Sequence, residues 1–169
     1  MCKSRLPAAF LGFLCLTLFT HEAVAQATAE AAGQNVTDMK FLAFPGMPTC
    51  STASVLSGNP GKGASIVIAK AKSGCLFPWH WHTPAEHVMM VSGTARVEMK
   101  DAKPVTLQAG GFAVMPSHHV HQFNCAKTCL LYIYSDAAFD MHYVNKQGTE
   151  ITPADAMKPF REKPATGMK

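Results

Sequence analysis

The chain is poor in charge and shows no clustered basic surface. Charged residues make up 15% of its 169 residues. The lysines are scattered, and no stripe of Lys and Arg interleaved with aromatics occurs, so nothing calls for nucleic acid as a partner. Long amphipathic helical runs are scarce in the middle of the chain, which argues against a helical bundle. No C-x2-C pair exists, which removes the usual cysteine frame of a structural zinc site. There is no internal repeat and no low-complexity segment. A hydrophobic content of 48% is enough for a packed core, so the low charge does not signal disorder.

The one long apolar run lies at the start. Lys3 and Arg5 precede the uncharged stretch Leu6 to Phe19, and Ala23-Val24-Ala25 supplies a small-x-small cleavage pattern. Fourteen residues fall short of the roughly 20 that span a bilayer core as a helix. The expected reading is a signal peptide over 1–25, a periplasmic or secreted protein, and no membrane association after cleavage. Removing Lys3, Arg5 and Glu22 leaves 13 basic and 10 acidic residues, a mild +3. Cys50, Cys75, Cys125 and Cys129 remain. In an oxidising compartment an even count permits two disulfides. Cys125 and Cys129 flank Ala-Lys-Thr, which reads as a tight hairpin loop where they could meet, leaving Cys50 with Cys75. Three connectivities are possible, and buried free thiols are the alternative.

Residues 26–63 read as an N-terminal leader and loops around one short segment, Ser54–Ser57. From Ala64 the texture changes. Ser65–Lys72, Phe77–His82, Glu86–Ser92, Thr94–Lys100, Val105–Gln108, Phe112–Met115, His119–Asn124, Thr128–Tyr134 and Asp140–Asn145 follow one another with turn residues between nearly all of them. Such spacing predicts an all-β antiparallel sandwich or barrel over 64–145. A tail over 146–169 holds a short helix, Ala154–Met157.

Six of the eight histidines fall between positions 80 and 121. His80 and His82 are two apart on a strand, so both imidazoles project to one face while Trp79 and Trp81 take the other. A Thr-Pro-Ala turn follows, and a hairpin returning there places Glu86 beside the two rings. Two imidazoles and a carboxylate can begin the first shell of a divalent transition metal, and His121 on a later strand can complete it. Four such groups facing a barrel interior would be costly without a cation or full pairing by hydrogen bonds, and the first is the favoured reading. Strand alternation turns His87 outward. His118 and His119 precede His121 in a loop and are placed to line the mouth, where His119 is a candidate acid or base beside Glu86. His142 reads as structural. Trp79, Trp81, Phe112 and Phe123, with Met89, Met90, Met99 and Met115, read as core packing. Tyr132, Tyr134 and Arg96 could face the cavity, their strand parity being open.

The segment GCLFPWHWHTPAEHVMMVSG reads G-x5-H-x-H-x3-E-x6-G from Gly74 to Gly93, and resembles the first motif of the cupin superfamily at every defining position. The segment GGFAVMPSHHVHQFN, from Gly110 through Pro116 and His121 to Asn124, resembles the second. It departs in two places: His118 stands where glycine is usual, serving a backbone need, and Asn124 comes one position early. The flanks look like small bacterial single-domain cupins of RmlC-like jelly-roll fold. The resemblance implies a β-barrel of six or more strands. It also implies one divalent transition metal (Fe, Mn, Ni, Cu or Zn) held near the mouth by His80, His82, Glu86 and His121. Four protein ligands on an octahedral ion leave two positions open to small molecules. The function expected is an oxidoreductase (dioxygenase-like), decarboxylase, isomerase or lyase acting on a small oxygenated molecule. The alternative is a non-catalytic metal-dependent ligand-binding or sensor module. Single cupin barrels often pair, so a homodimer is expected.

Overall fold

The computed structural model describes residues 33–158. The expected signal peptide over 1–25 lies outside the described residues. Eight strands follow in order: β1 (Ser51–Gly58), β2 (Ser65–Ala71), β3 (Leu76–Trp81), β4 (Glu86–Met99), β5 (Val105–Gln108), β6 (Phe112–Met115), β7 (His121–Ser135) and β8 (His142–Tyr143). A short helix α1 (Pro153–Met157) follows, opened by the side chain of Thr152, which accepts from the Asp155 N–H. No helix among the described residues is long and apolar enough to cross a membrane.

All pairings between the strands are antiparallel, as the short runs and turn signals predict. The sheet runs β1-β2-β7-β3-β8, and β4 pairs with β5, β6 and β7. The long strands β4 and β7 form the spine. The first half of β7 lies between β3 and the end of β4, and its second half lies between β2 and the start of β4. The two segments expected on either side of Gly93 are therefore one strand with register shifts from Met90 to Ala95. The same holds for His119–Asn124 and Thr128–Tyr134, which merge into β7. The expected Cys125–Cys129 hairpin loop is thus an irregular stretch inside a continuous strand. At the N-terminal side, β1 extends beyond the expected Ser54–Ser57 and pairs with β2 from Ser51 to Gly58.

Period-two alternation selects what faces inward. In β2, Ser65, Val67, Ala69 and Ala71 turn to the interior. Small residues recur there, with Ala53 and Ser135 on neighbouring strands. An eight-stranded barrel interior is just wide enough for side chains to fill or for one small ligand. With alanine and serine at so many inward positions it is not filled, and a cavity of about 490 Å³ remains. The packed core beside it includes Val88, Met90, Val97, Met115, Phe123 and Leu131. Phe77 meets Phe123 edge-on, with ring centroids 6.0 Å apart.

Several packing expectations are corrected. Phe112 is 56% exposed, and Met89 lies on the same outer face with Tyr132, Tyr134 and His87. Arg96 is exposed and pairs with Glu98. Trp79 and Trp81 are only partly buried. The Trp81 ring is held outside the barrel between His142, 3.9 Å away, and His118, 4.6 Å away. The physical reason is common to all: one face of a strand lines the interior, and the residues alternating with it are left outside.

Both disulfides form, Cys50–Cys75 and Cys125–Cys129, so the free-thiol alternative is overturned. Cys50–Cys75 spans 25 residues and ties the approach to β1 onto the start of β3, whereas Cys125–Cys129 spans only 4. Because the gain grows with the loop closed, replacing Cys50 and Cys75 by Ala should cost about 3 kcal/mol. The Cys125/Cys129 double replacement should cost clearly less. Urea unfolding of the two double variants checks the order.

Candidate metal centre

The three imidazoles come from two neighbouring strands and the turn after one of them. His80 on β3 sits opposite His121 on β7 in the ladder. Pro78 cannot donate to a ladder and lies where the β3 register shifts, a site where a strand tolerates proline. Its carbonyl accepts the His80 Nδ1–H at 2.6 Å. The chain then leaves the strand at His82 and re-enters at Glu86, opposite Met115 of β6. The loop before β7 docks onto this turn. The His118 N–H donates to the His82 carbonyl at 2.8 Å, and Ser117 Oγ donates to the Thr83 carbonyl. His118 takes φ 58°, the left-handed conformation for which glycine is usual at this place, so the backbone need is met despite the side chain.

His80, His82, Glu86 and His121 each offer one ligand atom, and these atoms all lie within 4.8 Å of one another. All four residues are buried, at 2%, 2%, 7% and 1% exposure. The structure thus brings together the full set expected from sequence. Each histidine has its other ring nitrogen tied to a backbone carbonyl: His80 to Pro78, His82 to Asp140 and His121 to His119. Such bonds fix the tautomer and aim each Nε2 lone pair inward. His82 Nε2 and His121 Nε2 are buried without a hydrogen-bond partner. They face Glu86 Oε2 at 3.4 and 3.3 Å. Buried polar atoms without partners are rare and call for an explanation. A divalent cation accepting three lone pairs and a carboxylate oxygen supplies one, so these residues fit the metal.

The remaining sequence candidates stand apart. His119 directs its ring Nε2–H to the Lys100 carbonyl, and its contribution to the cluster is the backbone carbonyl under His121. His87 lies among Phe112 and Tyr134 on the outer face. His142 contacts Asp140 and Glu150.

Sequence reasoning missed one segment, Phe139–Asp140. The Phe139 ring stacks on His82 at 4.2 Å, the Asp140 carbonyl holds His82 Nδ1–H, and the Asp140 carboxylate accepts the Thr83 N–H at 2.7 Å. Carbonyl acceptors leave no side-chain signature. The only available signal was an acidic residue two before His142.

Electrostatics sort the cluster. Burial pushes His80 well below the ordinary imidazole value, and nearby His121 and His82 push the same way. Burial also opposes charge on His82, but Glu86 together with Asp140 outweighs it and raises the group. Burial alone would raise Glu86, yet the adjoining His82 and His121 hold it well below the usual carboxylate range. Proton and metal compete for the same nitrogens. Because His82 is raised, its bound proton stabilises the metal-free fold below about pH 6.5, and that contribution is lost as pH rises through the folded value. The stabilisation conferred by metal should therefore grow as pH rises from about 6 to 8. Thermal unfolding of loaded and metal-free protein across that range checks the sign.

Comparison with known proteins gives the same architecture. The family model described as "Cupin domain" matches residues 67–134. An RmlC-like cupin from Shewanella frigidimarina NCIMB 400 is 19% identical with TM-score 0.53, covering 64% of this chain and 93% of its own. The polyketide cyclase RemF from Streptomyces resistomycificus is 16% identical with TM-score 0.58, covering 69% and 87%. KdgF from Halomonas sp. is 16% identical with TM-score 0.50, covering 60% and 92%. No curated protein matches the sequence. At these identities the likeness is one of fold. With the antiparallel barrel, both histidine motifs and the four converging ligands in place, residues 67–134 of the chain match a cupin domain.

Proposed function

We propose that this protein is an exported metal-dependent cupin enzyme that acts on a small oxygenated molecule. The observation that carries the reading is the opening of a buried His3Glu cluster onto a ligand-sized cavity. Only His80 and Glu86 of the four ligands border that cavity. Its volume of about 490 Å³ lies within the range of small-molecule sites. When bound, the cation would supply Lewis-acid activation, or a route for electrons if it is redox-active. The chain's own residues hold the three Nε2 atoms in fixed orientation and bury all four ligands away from bulk water, with His80 and Glu86 bordering the cavity. Solved relatives include a polyketide cyclase and DMSP lyases, which supports chemistry on this fold without naming the reaction here.

Export is supported by the two disulfides, which persist in oxidising compartments. Pairing into a homodimer is supported by the apolar outer face around Phe112 and Val114.

The test uses the mature chain, 26–169, loaded separately with Fe(II), Mn(II), Ni(II), Cu(II) and Zn(II). Each form is mixed with dicarbonyl, phenolic and carboxylic compounds, and both dioxygen uptake and substrate loss are measured. Turnover with at least one metal is expected. No turnover on any compound, together with tight retention of one of them, would establish the binding-module alternative.

A further inference from the structure

The cavity beside the metal ligands carries a second kind of information, the sign and amount of charge it can accept. Its walls include Val67, Val88, Phe123, Leu131 and Ile133. Among the described residues no lysine or arginine lines it. Three of its hydroxyls are already committed as donors. Ser51 donates to the Pro48 carbonyl at 2.7 Å, Ser135 to the Ala137 carbonyl at 2.8 Å, and Tyr143 to the Gly46 carbonyl at 2.9 Å. Of the two acidic residues at its border, Glu86 belongs to the metal cluster, and the Asp140 carboxylate is turned to Thr83 and His142.

A ligand entering this space meets His80 and Glu86 of the metal cluster and, elsewhere, mainly apolar walls broken by the neutral hydroxyls of Ser51, Thr52, Ser65, Ser135 and Tyr143. An anionic group on its body would lose water and find no cation to receive it. An unpaired charge in apolar surroundings is strongly disfavoured. We propose that the ligand is an uncharged, mainly apolar small molecule that carries its oxygen donors at one end. Polyanions such as sugar phosphates, uronates and dicarboxylates are the wrong class for this cavity. This deepens the function proposed above and rests on it only for the oxygen-bearing end.

A matched pair of probes isolates the charge. N-phenyl-1-naphthylamine and 1-anilinonaphthalene-8-sulfonate share their aromatic body and differ by one sulfonate. Both are titrated by fluorescence into metal-loaded protein and into the His82→Ala variant. The uncharged probe should bind at least about tenfold more tightly than the sulfonate, a gap of about 1.4 kcal/mol, and should do so in both proteins. Val67→Phe and Ile133→Phe, two independent ways of filling the cavity from facing ladder positions, should each weaken it by about tenfold or more. Phe112→Ser on the outer face should leave it unchanged. Equal or tighter binding of the sulfonate overturns the proposal. So does loss of naphthylamine binding in Phe112→Ser with retention in the filled variants. Metal content of the same samples separates the two readings. Cavity binding of naphthylamine by protein that takes up no metal would end the metal-centre reading alone. Preference for the sulfonate in fully metallated protein would end this one alone.

Discussion

Replacing His82 by Ala should strip most of the metal, whereas replacing His87 should leave it in place. The two residues differ by five positions but face opposite sides of the barrel wall. His82 is buried, with its Nδ1–H on the Asp140 carbonyl and its Nε2 unpartnered beside Glu86. Removing it takes one of four ligands and leaves a hole into which Phe139, stacked on the ring, cannot supply a donor. Changes merely to groups that orient ligands typically cost about 10- to 100-fold in metal affinity, so loss of a ligand should reach at least the upper end. His87 packs beside Phe112 and Tyr134 on the outside. Metal per chain after dialysis, measured by elemental analysis, decides the matter. Equal loss from both variants would show the ligand assignment to be wrong. Phe139→Ala gives an intermediate case: all four ligands remain, but one is less firmly oriented, and metal should be held more weakly without being lost.

The contrast between His82 and His87 also shows what the sequence made legible. Strand parity put His80 and His82 on one face and His87 on the other, because a period of two leaves no third choice. The Thr-Pro-Ala turn brought Glu86 back to the same end, and the second motif supplied His121. Even the departure at His118 resolved in the backbone, where a histidine occupies the left-handed conformation. Other features were not legible. Val, Ile, Met and Phe alternate with the inward residues, and composition does not say which set meets the core. Met89 and Phe112 were therefore assigned inward and lie outside. The cavity follows from an accumulation of small inward residues on separate strands, among them Ala53, Ala69 and Ser135, and is visible only once the register is known. The grip of Asp140 on His82 passes through a main-chain carbonyl and has no residue-type signature.

Register also explains the last glycine of the first motif, and here the largest effect on stability is expected. Gly93 sits in β4 at φ 91°, where the register against β7 shifts. A Cβ built there would lie 2.1 Å from the Thr128 carbonyl oxygen and 2.9 Å from its carbon. Those atoms are backbone of the neighbouring strand, so no side chain can swing away to make room. The backbone conformation alone costs a non-glycine residue about 1–3 kcal/mol, and relieving the overlap requires the two spine strands to part. Gly74, which opens the same motif, is the internal control. Its φ is 79°, but an added Cβ meets nothing within 4 Å. Gly74→Ala should therefore cost only the conformational part, about 1 kcal/mol at the low end of that range. Gly93→Ala should cost more than about 4 kcal/mol, the size reserved for a specific structural conflict, and should leave little folded protein at 37 °C. Urea midpoints for both variants, with metal present and absent, measure the difference. Similar costs for the two would mean that β4 and β7 are not in close contact at Thr128. The strand crossing that holds Glu86 beside His121 would then need another description.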